Sequence, residues 1–399
     1  MAAVSRPFNF ILIFTLLVLS YTNCNKFTAT VDQASFELPL ESSAPPDPIP
    51  AGLPPKGQGK FFLFMALIDK DVDNLVTFVI DPQSGKLTQT SAASIAGEIV
   101  PLGIHPNRKY LYAGLSARRS VAAFLIDQAN GSLTFSQEVA IGINPVYIHV
   151  DSLQKNLLIP SYSDSKVVVL PIRPDGSLSE TPTDTQNTDT NSHAAISTQN
   201  SKFVYVTNTV ANTISQFLLN SLTGLLTPNS PAKIQAPIGS GPRHVVHHPT
   251  KNLLYVVDEL GDSVTVYSED PTNGQLSFQN SLSTLPAGVN GNSNFCADIH
   301  ITPDAKYLYA SNRGDNSLAI FAIDPISGFL TSRGQQKVEG VPREFEIDPS
   351  GRYIYVAGMR TKKLTSFKID QATGQLAMIE TLDSIGDPIW VYSLWLPAQ

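Results

Sequence analysis

The stretch Asp81-Pro-Gln-Ser-Gly85-Lys-Leu87 is one of seven similar turns in this chain of 399 residues. Each turn opens with Asp, Asn or Pro and contains a Gly that is followed two residues later by Leu. The other copies are Asp127–Leu133, Pro174–Leu178, Asn220–Leu226, Asp270–Leu276, Asp324–Leu330 and Asp370–Leu376. Asp and Asn favour turn formation, Pro presets φ, and Gly tolerates the left-handed conformation that closes a hairpin. The spacing of about 46 residues therefore predicts a repeating unit that contains a hairpin.

Two alternating, strand-like runs precede each turn, for example Tyr110–Ala113 and Val121–Ile126. A repeat in the forties built from four short strands is typical of a β-propeller blade. The first repeat lacks its innermost strand, because Phe61–Met65 already corresponds to a second strand. The C-terminal run Pro388–Trp395 supplies the missing one. The sequence thus predicts an all-β, seven-bladed propeller over residues 60–399, closed by a C-terminal strand that joins the N-terminal blade.

Composition narrows the classes of partner. The net charge is −7, and the 27 basic residues form no run longer than two, which argues against nucleic-acid binding. No paired-cysteine site, nucleophile elbow or phosphate-binding loop occurs, so we expect no cofactor and no metal. His244 and His247 resemble a metal motif but would point to opposite sheet faces. The expected partner is a small molecule or a protein.

The N-terminal segment carries export signals. Arg6 precedes the apolar run Phe10–Leu19, which is shorter than a membrane span and typical of a signal peptide. We therefore interpret residues 1–24 as a signal peptide of a bacterial protein. Cys24 is a candidate lipidation site, and both a lipid-anchored and an ordinary secreted form stay open. Residues 25–59 are rich in Pro, Ser and Ala, which predicts a disordered tether.

A candidate site follows from blade geometry. The first and second strands of a blade are antiparallel, so the start of the first and the end of the second lie at the same end of the channel. Ionisable residues concentrate at these positions, mainly in the fourth to seventh blades. They include His193, Arg243, His244, Glu259, Asp298, Arg313 and Arg343. The excess of arginine favours an anionic or carbonyl-rich ligand, although an Arg–Glu pair is also compatible with a purely structural role.

At these positions the chain resembles the propeller-type lactonase family, which includes 6-phosphogluconolactonases and carboxy-muconate cyclases. The matching stretches are Gly241–Pro249, Tyr255–Leu260, Ala297–Asp304, Leu308–Gly314 and Val341–Phe345. The resemblance implies that His193, Arg243, Glu259 and Arg313 are catalytic. It also implies that Arg343 is a ligand-binding residue, and we group His244 and Asp298 with it as candidate substrate contacts.

The implied reaction is hydrolysis of a sugar lactone by an activated water, with a lactone or its aldonate as partner. Glu259 or His193 would act as general base, and Arg243 with Arg313 would stabilise the oxyanion. Two neighbouring arginines weaken Glu259 as a base, which favours His193.

A phosphorylated sugar lactone of central metabolism belongs in the cytoplasm, whereas the N-terminal signals predict that this chain is exported. The alternative hypothesis is therefore a non-enzymatic, exported propeller that binds ligands, envelope proteins or host proteins. Its only membrane contact would be a lipid on Cys24.

Overall fold

The computed structural model describes residues 59–69, 73–289, 291 and 293–398. Residues 1–24, including Cys24, and residues 25–58 lie outside this range, so the predicted signal peptide, lipidation site and tether stay predictions. Gly59, which the sequence placed at the end of the tether, already belongs to the first strand and pairs with Pro397. Among the described residues, no helix is long and apolar enough to cross a lipid bilayer.

The described residues form 28 strands arranged as seven four-stranded antiparallel sheets. The first three are β1 (Gly59–Ile68), β2 (Asn74–Ile80) and β3 (Leu87–Ser94). The second blade contains β4 (Ile99–Ile104), β5 (Tyr110–Leu115), β6 (Ser120–Ile126) and β7 (Leu133–Ala140), and the third contains β8 (His149–Val150), β9 (Asn156–Ser161), β10 (Lys166–Pro171) and β11 (Asp184–Asn187). The fourth contains β12 (Ser192–Ser197), β13 (Phe203–Asn208), β14 (Thr213–Asn220) and β15 (Leu225–Gln235).

The fifth blade contains β16 (Pro242–His247), β17 (Leu253–Asp258), β18 (Ser263–Glu269) and β19 (Leu276–Ser283), and the sixth contains β20 (Cys296–Ile301), β21 (Tyr307–Asn312), β22 (Ser317–Ile323) and β23 (Leu330–Lys337). The seventh contains β24 (Pro342–Ile347), β25 (Tyr353–Gly358), β26 (Lys363–Ile369) and β27 (Leu376–Asp383), and the last strand is β28 (Asp387–Pro397). β28 pairs with β1, which confirms the predicted closure of the ring. This closure removes the two open sheet edges that an unclosed array would expose.

The seven turns have the predicted conformation. The Gly of every copy has a positive φ, between 69° at Gly274 and 95° at Gly176. In the first copy, the side-chain oxygen of Asp81 accepts hydrogen bonds from the backbone N–H groups of Gln83 and Ser84, both at 2.8 Å. The local sequence signal therefore specifies the hairpin between the third and fourth strands of each blade.

Neighbouring blades are held together by buried aromatic side chains and by hydrogen bonds to these turns. The hydroxyl of Tyr112 in β5 donates to the carbonyl of Gly176 in the next blade at 2.6 Å. Tyr205, Tyr255 and Tyr309 repeat this contact from successive blades. Tyr355 of the last blade donates to Gly85 of the first at 3.1 Å. The same inter-blade contact therefore continues across the closure of the ring.

The third blade departs from the predicted pattern at its inner strand. Its inner strand, β8, contains only His149 and Val150. Pro145, which precedes this strand, and Pro160 in β9 have no backbone N–H to donate. The single contact there runs from the Val146 N–H to the Pro160 carbonyl at 3.2 Å. The two missing donors reduce the backbone hydrogen bonds available where this ladder would begin.

Candidate active site

The inner strands carry bulges at the candidate residues. The pairing between β16 and β17 shifts register between Pro242 and Val245, where Arg243 and His244 lie. Similar shifts occur at His193 in β12, at Asp298 in β20 and at Arg343 in β24. A bulge bends the strand and changes the direction of its side chains. These bulges therefore change the direction of candidate side chains in four neighbouring blades.

A fully buried arginine forms the centre of the site. The Nε atom of Arg243 lies 3.6 Å from Oε2 of Glu259, and one terminal nitrogen lies 3.9 Å from Oε1 of Glu344. Its other terminal nitrogen donates to the carbonyl of Ala297. Burial, together with the nearby positive charge of Arg313, lowers the pKa of Arg243 to about 10, so the guanidinium stays charged at neutral pH. Its Nε and second terminal nitrogen have no hydrogen-bond partner among the described residues.

A second arginine approaches the same carboxylate from the next blade. Arg313 donates to Oε1 of Glu259 and also to the carbonyls of Phe295 and Cys296. Glu259 therefore bridges two guanidinium groups, as the arginine-rich sequence pattern indicated. Such an arrangement orients both arginines toward a shared space and limits the availability of Glu259 as a base.

The carboxylate of Asp298 lies beside this cluster and accepts four hydrogen bonds. Its Oδ1 accepts from Nδ1 of His244 and from the backbone N–H of Ile299, both at 2.9 Å. Its Oδ2 accepts from Nε2 of His300 at 3.0 Å and from the N–H of Phe345 at 3.1 Å. Burial would raise the pKa of Asp298, but the charge of His300 and the hydrogen bonds hold it well below its usual value. Asp298 is therefore ionised and links two histidines.

Asp298 fixes the tautomer of His244. Because Nδ1 carries the proton that is donated to Asp298, Nε2 is a bare acceptor. This Nε2 is buried and has no partner among the described residues. Burial and the charge of Arg243 lower the pKa of His244 to about 3 despite the contact with Asp298, so its ring is neutral at neutral pH.

His193 packs edge-on against His244, with ring centroids 5.2 Å apart, and against Tyr162 at 5.7 Å. Only 6% of His193 is exposed, and its Nδ1 has no partner among the described residues. Burial, followed by the charge of Arg243, lowers the pKa of His193 well below its ordinary value. Two neutral histidines with unused ring nitrogens therefore lie together beside Arg243.

Arg343 and Glu344 complete the cluster. Burial and the nearby Asp298 raise the pKa of Glu344 well above its usual value, although Arg243 and Arg343 oppose the shift. Arg343 is partly exposed, burial lowers its pKa, and no described carboxylate forms an ion pair with it. Arg343 is thus the guanidinium of the site that is least engaged by the protein.

Three groups satisfy the distance requirement for a cation site. Donor atoms of His244, Asp298 and Glu344 all lie within 4.8 Å of one another. The lone pairs of Asp298 are already occupied by four N–H donors, and the guanidinium of Arg243 faces Glu344. The donor set is therefore better suited to an internal hydrogen-bonded cluster than to a divalent cation.

The comparison with known protein families agrees with this fold. Residues 63–393 match the family described as "Lactonase, 7-bladed beta-propeller". The chain belongs to this family. The predicted resemblance to the propeller lactonases is confirmed over most of the chain.

Similar proteins include enzymes named for lactone hydrolysis. The 6-phosphogluconolactonase of Klebsiella pneumoniae (strain 342) is 33% identical over 264 residues, which cover 66% of this chain and 78% of that protein. The 6-phosphogluconolactonase of Pectobacterium carotovorum subsp. carotovorum (strain PC1) is 31% identical over 332 residues, covering 80% and 99%. The solved structure of the Pseudomonas aeruginosa periplasmic gluconolactonase covers 85% of this chain and 100% of its own, with a TM-score of 0.79 at 23% identity. This last likeness shows the fold.

The structure of this propeller lactonase also contains site residues that the sequence did not single out. Tyr147 and Trp390 pack on His244, with centroids 5.0 and 5.7 Å away, and Tyr162 packs on His193. His300 shares Asp298 with His244. The sequence does carry one signal for His300, because it lies two residues after Asp298 on an inner strand and so shares its face.

Proposed function

We propose that this chain is a lactonase that hydrolyses a sugar or related lactone at the end of the channel where Arg243, Glu259 and Arg313 meet. The observation that carries the proposal is this pair of arginines bridged by Glu259, next to two neutral histidines. Two guanidinium groups with unused donors provide what an ester carbonyl requires when negative charge develops on its oxygen. Membership of the lactonase family supports the same reaction.

The reaction is a two-step acyl substitution. A water oxygen attacks the lactone carbonyl carbon, and the water proton passes to a neutral histidine nitrogen. The carbonyl electron pair moves to oxygen, where Arg243 and Arg313 stabilise the anion. The tetrahedral intermediate then breaks the bond between the carbonyl carbon and the ring oxygen. That oxygen takes the proton back from the histidine, and the product is the open-chain hydroxy acid.

We assign the proton transfer to His244, with His193 as the neighbouring group that contacts water or substrate. His244 has the orienting carboxylate, Asp298, that a histidine base needs, and its free Nε2 is the acceptor. Asp298 then acts through His244 as a positioning residue. Glu259 is the weaker choice because both of its oxygens are engaged by arginines. The low pKa of His244 makes proton transfer from water unfavourable until the arginines stabilise the oxyanion.

The position of Arg343 favours a lactone that carries an anionic substituent. Its guanidinium has no ion-pair partner among the described residues, and a carboxylate or phosphate would provide one. The proposed substrate class is therefore a sugar lactone that carries an acidic group. Arg343→Gln should raise KM for such a lactone and change KM little for an uncharged one.

The experiment that tests the function uses the full-length chain with two lactones, glucono-δ-lactone and its 6-phosphate. Acid release is followed in a pH-stat and the spontaneous rate is subtracted. We expect saturable hydrolysis of at least one lactone. Rates equal to the spontaneous rate for both would contradict the proposal.

We also propose that the protein is exported, on the evidence of the apolar run at residues 10–19 and the proline-rich segment that follows. Whether Cys24 carries lipid is tested by labelling cells with a palmitate analogue, with Cys24→Ser as control.

The same export signals favour the second candidate function, a tethered binding module. Thermal-shift measurements separate the two, because aldonates should stabilise an enzyme that binds its product. A binding module would show no shift with aldonates and would bind envelope or host proteins.

A further inference from the structure

The channel contains a second compartment beyond His244. A cavity of about 280 Å³ lies between the inner strands and has His244, Asp298 and Glu344 in its wall. From there it extends along the inner strands away from Arg243. Its other polar and aromatic lining residues include Tyr147, His149, His300, Glu346, Trp390 and Tyr392. We call this cavity the channel chamber. Arg243, Glu259, Arg313 and His193 are not among the described residues that line it.

Strand periodicity explains why polar residues continue into the channel chamber. Side chains two residues apart on a strand project to the same face. His300 follows Asp298 at this spacing, Glu346 follows Glu344, and Tyr392 follows Trp390. β20, β24 and β28 therefore each contribute one residue beside His244 and another deeper in the chamber.

The channel chamber carries no net positive charge. No arginine or lysine is among its lining residues. The charge of His300 is balanced by Asp298, 3.0 Å away. Burial raises the pKa of Glu346 to about 7, and the Ser393 hydroxyl donates to this carboxyl at 3.0 Å. Burial lowers the pKa of His149 to about 3, so it is neutral, and its Nε2 lies 3.1 Å from the hydroxyl of Ser197. An anion that suits the arginine-rich site finds no counter-charge here.

The chamber combines aromatic surface with unused polar groups. Tyr147 and Trp390 pack edge-on at 5.8 Å and form one wall. The hydroxyls of Tyr147 and Tyr392 make no hydrogen bond to a described residue. The side chain of His300 is 31% exposed, which shows that solvent-sized molecules reach it. The volume of the channel chamber, about 280 Å³, lies just below the range of about 300–1,000 Å³ of pockets for drug-sized ligands, which suits a smaller molecule.

We propose that the channel chamber binds a neutral, polyhydroxylated ligand of monosaccharide size, with its ring against Trp390 and its hydroxyls bonded to Glu346, Tyr392 and His300. It adjoins the proposed lactone site, with which it shares His244 and Asp298. The contacts proposed for its ligand lie deeper in the channel, and no reaction is assigned to it. Aromatic side chains with a ring of polar groups provide both contacts that a sugar requires, an apolar face and hydrogen bonds along the edge.

The two tryptophans of the chain give a direct readout. Trp395 lies outside the chamber, where the Arg108 guanidinium stacks on its ring at 4.9 Å. Full-length Trp395→Phe protein therefore carries one reporter, Trp390. Its fluorescence is titrated with D-glucose, D-galactose, D-ribose and myo-inositol, and with D-gluconate as the anionic comparison.

We expect a saturable change with at least one neutral compound and weaker binding of gluconate at this reporter. Glu346→Gln and Tyr392→Phe should each weaken the neutral ligand about fivefold to tenfold, as expected for loss of one good hydrogen bond. Arg343→Gln, at the arginine-rich site, should leave this affinity unchanged, so chamber binding is scored independently of lactone hydrolysis.

Three outcomes would overturn the proposal. They are no saturable change with any neutral compound, unchanged affinity in both chamber variants, or a response only to gluconate that Arg343→Gln abolishes. The last result would place the ligand at the arginine-rich site.

Discussion

The Oδ1 atom of Asp298 lies 2.9 Å from Nδ1 of His244, while its Oδ2 lies 3.0 Å from Nε2 of His300. One carboxylate therefore sets the tautomer of a histidine beside the arginines and neutralises a charged histidine in the channel chamber. The charge of Asp298 raises the pKa of His300 to about 9 against the opposing effect of burial. This contact links the two halves of the channel.

Asp298→Asn should reduce kcat/KM about 10²- to 10³-fold. Asn offers one acceptor oxygen where Asp offers two, so it cannot accept from both histidines and no longer fixes Nε2 of His244 as the acceptor. Steady-state kinetics should show a loss in kcat with little change in KM. Asp324→Asn, the same substitution in an exposed hairpin turn, is the matched control and should leave the rate unchanged. Equal rates in the Asp298 and Asp324 variants would contradict the positioning role.

The pH profile should lack the acidic limb of an ordinary histidine. The base must be neutral to accept a proton, and the pKa of His244 is lowered to about 3. As pH falls from 8 through about 6.5, where an unperturbed histidine becomes protonated, the neutral form persists and kcat/KM should stay constant. It should decline only at markedly lower pH. Initial rates corrected for spontaneous hydrolysis measure this, and a limb with an apparent pKa near 6.5 would be incompatible with His244 as base.

Arg243→Lys should lower kcat about 10²- to 10³-fold, the effect of removing one donor to an oxyanion. Lysine keeps the positive charge but loses the planar fork, so it cannot contact the carbonyl of Ala297 and face the developing oxyanion together. KM should change less than kcat because the interaction strengthens in the transition state. Full retention of kcat would show that charge alone suffices, contrary to the assigned role.

The repeat and the ring closure could be predicted from the sequence because their signals are local. Every turn carries its own Asp or Asn and its own Gly, and the C-terminal run Pro388–Trp395 stands where the first blade lacks a strand. The contacts of the site are different in kind, since Asp298 meets the N–H of Phe345 in another blade. Such contacts depend on how bulges aim side chains across the channel, which no spacing in the sequence specifies. The roles of His193, Arg243, Glu259 and Arg313 therefore stay predictions.

Ring closure should contribute measurably to stability. The hydroxyl of Tyr355 donates to Gly85 across the junction between the last and first blades. Tyr355→Phe should lower the free energy of unfolding by about 1 kcal/mol, the usual net value of one hydrogen bond. Tyr112→Phe removes the equivalent bond at an internal junction and should cost a similar amount. Denaturant unfolding of both variants checks this, and an unchanged midpoint for Tyr355→Phe would show that the closing bond contributes nothing.

The most direct test of the central claim is the rate of lactone opening by full-length wild-type protein, His193→Ala and Arg243→Ala in one pH-stat series. Circular dichroism should first show that the variants keep the propeller. The account predicts a wild-type rate well above the spontaneous rate and a loss of about 10²-fold or more in each variant. Wild-type and variant rates that all equal the spontaneous rate would contradict it.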